Sequence, residues 1–395
     1  MVRPDDSLIR NTRFLKLWAG QGVSFVGDAI SMVALVILVF QITGSASAVG
    51  GLLFARLLPT LASPLVGVLA DRLDRRIILV TCDLARAALV IGVVFTRDIV
   101  LLYALTFLMG VARTFFNPTI RAAFPGVVGS GDLTRANALI SGTFSTSIAV
   151  GPALGGLLVA TVGVNAAFLL DAATYVISAA FLALLPLARP ERGEDASFGQ
   201  ELRAGFGYLA GARVPLAIVV GAFLTILTIN ATVPAEVFLA KETFGAGDAG
   251  YGVLVGLWGG GMVLGSVLIA VVGNRGNLVA IYFLGIFASA LALAGAGISP
   301  TFVLALGALT VAGAANGIDN VTTDTILQKR VPDALLGRVF AVRFLTYSTG
   351  EVLAYLAGGL VVEAVGPRST YLIAGAATAM VGLFILLLIG IGTPK

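Results

Sequence analysis

The chain has no histidine and a single cysteine, and charged residues fill only 12% of its 395 positions. Each shortage removes a class of function. Without histidine there is no imidazole to carry a proton near neutral pH, so any proton carrier must be a buried carboxyl group. Cys82 alone forms no intrachain disulfide, and one Cys without His offers no zinc spacing, so no metal and no cofactor is expected. An enzyme is not expected either, because nucleophile–base and metal constellations lack their usual members. No Walker-type Gly-Lys-Ser/Thr stretch is present, which leaves an ion gradient or a substrate gradient as the energy source. The net charge is +4, but no Lys/Arg-rich run with interleaved aromatics exists, so nucleic acid is not an expected partner. A soluble domain carries about 25% charged residues. Half that proportion leaves too little polar surface for a water-soluble globule.

What is abundant fits a bilayer. Hydrophobic residues make up 58% of the chain, and its 49 glycines let helices approach closely. A hydrocarbon core about 30 Å thick needs roughly 20 apolar residues per helix. That ruler predicts twelve spans, at 14–40, 46–70, 77–95, 99–124, 136–162, 166–187, 214–239, 251–272, 278–298, 301–327, 339–362 and 370–391. Helix is the expected class, since backbone polar groups in lipid must be satisfied within the segment. The first run is expected to be a span and not a cleavable signal, because Asp5 and Asp6 stand in the would-be basic region and the run is long enough to cross.

Lys and Arg set the expected orientation. With the N-terminus in the cytoplasm, that side holds Arg3, Arg13, Arg75, Arg76, Arg135, Arg203, Arg275, Lys329, Arg330, Arg338 and others, against only Arg97, Lys241 and Arg368 opposite. Both termini are therefore expected inside. The polar stretch 188–213 divides the chain into halves at 1–187 and 214–395, and 198–212 is expected to form a short amphipathic helix on the membrane surface. A shift of about 203 positions aligns Gly110 with Gly313, Asn117 with Asn320, Arg135 with Arg338, Gly155 with Gly358 and Gly156 with Gly359. Two six-helix halves related by an axis along the membrane normal form a known transporter plan.

Between the second and third spans runs Gly67-Val-Leu-Ala-Asp71-Arg72-Leu-Asp74-Arg75-Arg76. It resembles the signature loop of the major facilitator superfamily. Gly151-Pro152-Ala-Leu-Gly155-Gly156 resembles that family's antiporter motif. Phe25-Val-Gly27-Asp28, Asp83-Leu-Ala-Arg86 and Val331-Pro332-Asp333 resemble the drug–proton antiporter branch that holds macrolide efflux proteins and the enterobactin exporter. The resemblance covers nearly the whole chain. It implies a twelve-helix fold of two pseudo-symmetric halves, a cavity lined by the first, fourth, seventh and tenth helices, and a gating loop at Gly67, Asp71, Arg72, Arg75 and Arg76. The sequence departs from the pattern at Asp74, where the superfamily often has Gly. It departs again at Thr106, where many proton antiporters carry Arg. In the second half the loop reads Gly273-Asn-Arg275-Gly-Asn277.

A charge at the bilayer centre costs about 2.5–3.5 kcal/mol on insertion scales, so such residues are functional candidates. Asp28, Arg56, Arg113 and Glu351 fall near the midplane when residues are counted at about 1.5 Å each. Gln21, Ser24, Asp28 and Ser31 share one helix face. Gly110, Arg113 and Asn117 share another, and Asn316, Asp319, Asn320 and Thr323 a third. Asn230 is the polar candidate on the seventh span. Glu351 and Asp28 are the two proton-coupling candidates, and Glu351, with no midplane partner evident in its own helix, is the expected carrier. Asp28, opposite Arg56, is expected to hold substrate or structure. Asp83, Arg86 and Asp171 are expected to be scaffold.

The expected function is proton-coupled efflux of an amphipathic, drug- or macrolide-like small molecule across a bacterial inner membrane. The expected actor is a multi-pass monomer that works by alternating access and confers antibiotic resistance. Its partners are substrate, protons and the lipid bilayer. Alternatives are a lysophospholipid flippase, a siderophore exporter, or a transporter-like sensor without flux, which should carry a soluble output domain.

Overall fold

The computed structural model describes residues 8–70, 73–128, 132–187, 198–272 and 277–390, and every regular element among them is helical. Asp71, Arg72 and the stretch 188–197 lie outside the described residues, as does most of the loop at 273–277. The first six spans are Thr12–Thr43, Ala46–Gly67, Arg75–Val94, Ile99–Val128, Leu133–Val162 and Val164–Ala183. The next four are Arg213–Thr243, Gly247–Val271, Leu278–Ile298 and Phe302–Arg330. One run, Asp333–Gly390, supplies the last two, because Gly366 adopts φ 81 within it. Only glycine takes that left-handed backbone without strain, and Pro367 follows it, so the chain turns there and the run divides into two spans. Twelve helical spans result, as the apolar runs predict. Large apolar side chains lie open on the outer faces, among them Leu291 (76% exposed) and Val303 (75%). A soluble protein of this size does not tolerate such a surface.

The chain forms two compact units. Residues 1–38 and 55–194 make the first. Its core joins Phe14 and Leu17 of the first span to Leu79, Phe116, Phe124 and Leu182. Residues 39–54 and 195–395 make the second, cored by Ile218, Tyr282, Ile286, Leu327, Val342 and Ile385. The boundary does not follow the order of spans, because the short hairpin 39–54 groups with the later helices. There Glu363 accepts hydrogen bonds from the Ser47 amide (3.1 Å), the Ser47 hydroxyl (2.5 Å) and the Ser45 hydroxyl, at the start of the helix Ala46–Leu57. The amphipathic helix forms at Phe198–Gly211 and lies on the second unit, where Leu209 is buried and the Tyr208 hydroxyl donates to the Arg330 carbonyl.

The internal repeat extends to local geometry. Asp74 caps the third span, accepting from the Arg76 and Ile77 amides at 2.9 and 3.3 Å. Asn277, 203 positions on, caps the ninth span by accepting from Val279 and Ala280 at 3.0 and 3.4 Å. A side-chain oxygen there satisfies amides that the helix leaves open. This explains Asp74 where the family often has Gly: the position is an N-cap in both halves.

Candidate functional site

In the first unit, the second span brings the site together. Its helix runs Ala46–Leu57, tightens into a single turn over Leu58–Ala62 with Pro59 near its start, then resumes as Ser63–Ala70. Arg56 therefore stands in the last turn before the break, where a cation favours the negative end of the helix dipole. The fourth span approaches so closely that a Cβ on Gly110 would meet the Arg56 carbonyl oxygen at 2.2 Å. Only glycine leaves room for that carbonyl.

Arg56 Nη2 lies 3.8 Å from Asp28 Oδ1, and the Tyr175 hydroxyl of the sixth span donates to the same oxygen. The pair is largely but not wholly enclosed, with side chains 12% and 24% exposed. Arg86 connects it to a second pair. Its guanidinium bonds Asp83 and lies 4.3 Å from the Phe116 ring centre and 4.5 Å from that of Tyr175. Asp83 and Arg86 are 0% and 4% exposed. They were expected to be scaffold on their own; the structure joins them through Tyr175 to Asp28. Asp171 is fully buried beside Gly27 and receives the Thr174 hydroxyl at 3.3 Å. Arg113 is exposed and lines a small pocket with Asp28, Arg56 and Arg86. This unit thus gathers three acids, Asp28, Asp83 and Asp171, around two enclosed arginines, Arg56 and Arg86, with Arg113 at the exposed edge of the same pocket.

The remaining candidates of this unit fall around that network. Gln21 is buried and donates to Ser178 Oγ at 3.4 Å. Asn117 is exposed. Gly151 faces Ala29 and Gly155 faces Ile30, with Pro152 and Gly156 buried, so the motif holds the fifth span against the first. Between those two spans lies a cavity of about 390 Å³ lined by Val26, Leu139, Thr143, Ser147, Val150 and Leu154 among others. Its walls are apolar with a few hydroxyls, the usual make-up of a small-molecule pocket. Of the loop residues, Arg75 donates to the Ala122 carbonyl at 3.2 Å, the Arg76 amide is capped by Asp74, and Gly67 borders open space.

In the second unit Glu351 is not without a partner in its own helix. The Tyr355 hydroxyl, one turn on, donates to Glu351 Oε1 at 3.0 Å. The spacing i, i+4 brings the two together. Asp319 is 6% exposed, and its Oδ1 has no hydrogen-bond partner among the described residues. Arg343 pairs with Asp324 at 2.8 Å. Asn320 donates to Asn316 Oδ1 at 3.1 Å, and Asn230 is buried. Glu236, at 8% exposure, is a buried acid that the sequence reading passed over. The signal in the sequence is the apolar Val233-Pro-Ala before it and Val237-Phe-Leu-Ala after it. Among the described residues this unit buries Glu236 and Asp319, while Arg343 is already paired with Asp324. Among the described residues no group of acids and thiols has the arrangement of a metal site.

A carboxylate held by a phenol and an arginine is a charge-paired group inside a helical bundle. Known proteins of similar sequence are membrane transporters. A family described as transmembrane secretion effectors, of the major facilitator type, matches residues 7–392. An uncharacterized major-facilitator-type transporter, YfiS of Bacillus subtilis, is 26% identical, covering 96% of this chain and 94% of its own. Macrolide efflux protein A of Streptococcus pyogenes is 23% identical, covering 92% of each. Among solved structures, the nucleoside transporter NupG superposes with a TM-score of 0.84 over 95% of this chain and all of its own, at 16% identity. That last likeness concerns the fold.

Proposed function

Because the chain belongs to the transmembrane secretion effector family of major facilitator transporters, we propose that it exports an amphipathic, macrolide-like small molecule by alternating access, driven by protons. The observation that carries the proposal is Glu351, a carboxylate within the eleventh span that accepts from the Tyr355 hydroxyl at 3.0 Å. The apolar pocket of about 390 Å³ along the first and fifth spans supports an amphipathic ligand, and the similarity to a macrolide efflux protein supports the direction and the substrate class.

In this reading the chain is a monomer of the bacterial inner membrane with both termini in the cytoplasm. It comprises halves 1–187 and 214–395 and a linker, 188–213. Asp28, faced by an arginine, holds substrate or structure. Glu351, faced by a phenol, carries the proton. Gln21, Arg56, Arg113, Asn117, Asn230, Asn316, Asp319 and Asn320 line the substrate path. Asp71 with Arg72, Arg75 and Arg76 balances the inward and outward states. A charge contact at a helix terminus is worth about 0.3–2 kcal/mol, enough to move a near-even equilibrium severalfold. Asp71→Asn is therefore expected to impair transport while leaving folded protein in the membrane.

The test is transport by the purified chain in proteoliposomes under an imposed pH gradient, over a panel of macrolides, other amphipathic drugs, a siderophore and a lysophospholipid. Glu351→Gln is expected to lose gradient-driven accumulation and keep counterflow, since Gln mimics the protonated acid. Asp28→Asn is expected to change substrate affinity and keep coupling. The opposite pattern reverses the two assignments. Full coupling in both mutants rules out a gradient mechanism through these carboxylates.

A further inference from the structure

The few polar atoms of the pocket along the first and fifth spans share one property. Thr143, Thr146 and Ser147 line it, all on the helix Leu133–Val162. Each hydroxyl gives its proton to a carbonyl of its own helix, the usual resting bond of a helical Ser or Thr. Thr143 donates to Leu139 at 2.9 Å, Thr146 to Gly142 at 2.9 Å and Ser147 to Phe144 at 2.7 Å. Thr143 also accepts the Trp18 indole N–H at 2.9 Å. Ser147 is only 3% exposed. Thr146 is exposed, and among the described residues none donates to it. The other lining residues are alanine, glycine, leucine and valine, so no Asp, Glu, Lys or Arg stands in the wall. The backbone amides there lie inside long helices and are held by their own i→i−4 bonds.

A pocket built this way accepts hydrogen bonds, donates none and carries no charge. An anion that enters it gives up its water and meets neither a cation nor an N–H. A ketone or ether loses its water in the same way and gains no partner. A hydroxyl or amide N–H on an apolar body finds an open acceptor at Thr146 while its carbon frame lies against Val150 and Leu154. We propose that this pocket is a substrate subsite for uncharged apolar molecules that bear a hydrogen-bond donor, and that Thr146 is the residue that reads the donor. Such a subsite suits a hydroxylated lactone and turns away a polyanionic siderophore or the phosphate of a lysophospholipid. Its part in transport rests on the export reading above; the selectivity of the pocket does not.

Trp18, bonded to Thr143 in the pocket wall, is a built-in reporter, and of the chain's 2 tryptophans Trp258→Phe leaves it alone. In that background the purified full chain in detergent is titrated with 2-adamantanol, 2-adamantanone and adamantane-1-carboxylate, which share one apolar cage. The alcohol is expected to change Trp18 emission saturably, at a midpoint about tenfold below that of the ketone. The carboxylate is expected to give no saturable change. Thr146→Val, which replaces the hydroxyl by a methyl, is expected to bring the alcohol and ketone midpoints within about twofold of each other by weakening the alcohol alone. Gly142→Leu is expected to abolish saturation by every probe, because Gly142 lines the pocket and a Cβ there meets no atom within 4 Å, so the side chain fills the space without a clash. Equal midpoints for alcohol and ketone, or a gap that survives Thr146→Val, overturn the donor rule. Saturation that survives Gly142→Leu overturns the pocket. If the alcohol binds as expected but the proteoliposomes accumulate no substrate under a pH gradient, the export reading falls and the selectivity of the pocket stands.

Discussion

Asp28 and Arg56 were legible as a pair because both are charges in apolar runs at similar depth, and such charges seek each other. Tyr175 was not legible. Whether a sixth-span phenol meets a first-span acid depends on the rotation of two packed helices, and no local period in the sequence reports it. The Glu351–Tyr355 bond was within reach of helix spacing alone, since the two lie one turn apart. The energetics of the Asp28 pair follow from its burial. Removing one member of a buried pair leaves an uncompensated charge at a cost of about 3–5 kcal/mol, whereas removing both is often near neutral. Some solvent reaches Asp28, at 24% exposure, so the lower end applies. Arg56→Met is expected to lower the thermal stability of the detergent-solubilised protein clearly. Arg56→Met with Asp28→Asn is expected to recover most of the loss. A double mutant no more stable than Arg56→Met would show that the pair's charges are not what the single mutant unbalances.

At the scale of elements, the hairpin 39–54 is the part least foreseeable from the sequence. Hydropathy marks two spans there and says nothing of Glu363, more than three hundred residues away. The Glu363 carboxyl is held below the usual glutamate range, first by the Ser45 hydroxyl and then by the Ser47 hydroxyl and amide. Because its pKa is lowered in this contact, the bonds favour the ionised form. They are at full strength above the ordinary glutamate value of about 4.3 and are lost as pH falls through the lowered value. Amide hydrogen exchange over residues 44–50, corrected for its intrinsic pH dependence, is therefore expected to show protection near neutral pH that is lost in strong acid. In Glu363→Gln it should be fast already at neutral pH. Equal exchange in mutant and wild type at neutral pH would show that the carboxylate does not hold the hairpin.

Over the whole molecule, most of the fold was written in composition and spacing. Apolar runs gave the twelve spans, and matched glycine, asparagine and arginine positions gave the repeat that the two N-caps, Asp74 and Asn277, repeat in geometry. The site was less legible, because its members come from separate spans and meet only through helix packing. Orientation remains a matter of Lys and Arg, which resist crossing the bilayer. With Cys82→Ser as background, Gln200→Cys is expected to react with an impermeant maleimide only after the membrane is opened; reaction in intact cells would invert the topology. The unequal pairing of acids in the two interiors has an electrical consequence. A membrane potential acts on each charge within the bilayer with a force worth about 2.3 kcal/mol per 100 mV for full transfer. In the first unit, Asp28 and Asp83 are paired with Arg56 and Arg86. In the second, Glu236 and Asp319 are buried while Arg343 is paired with Asp324, so whenever those two acids are ionised it is the later helices on which voltage pulls.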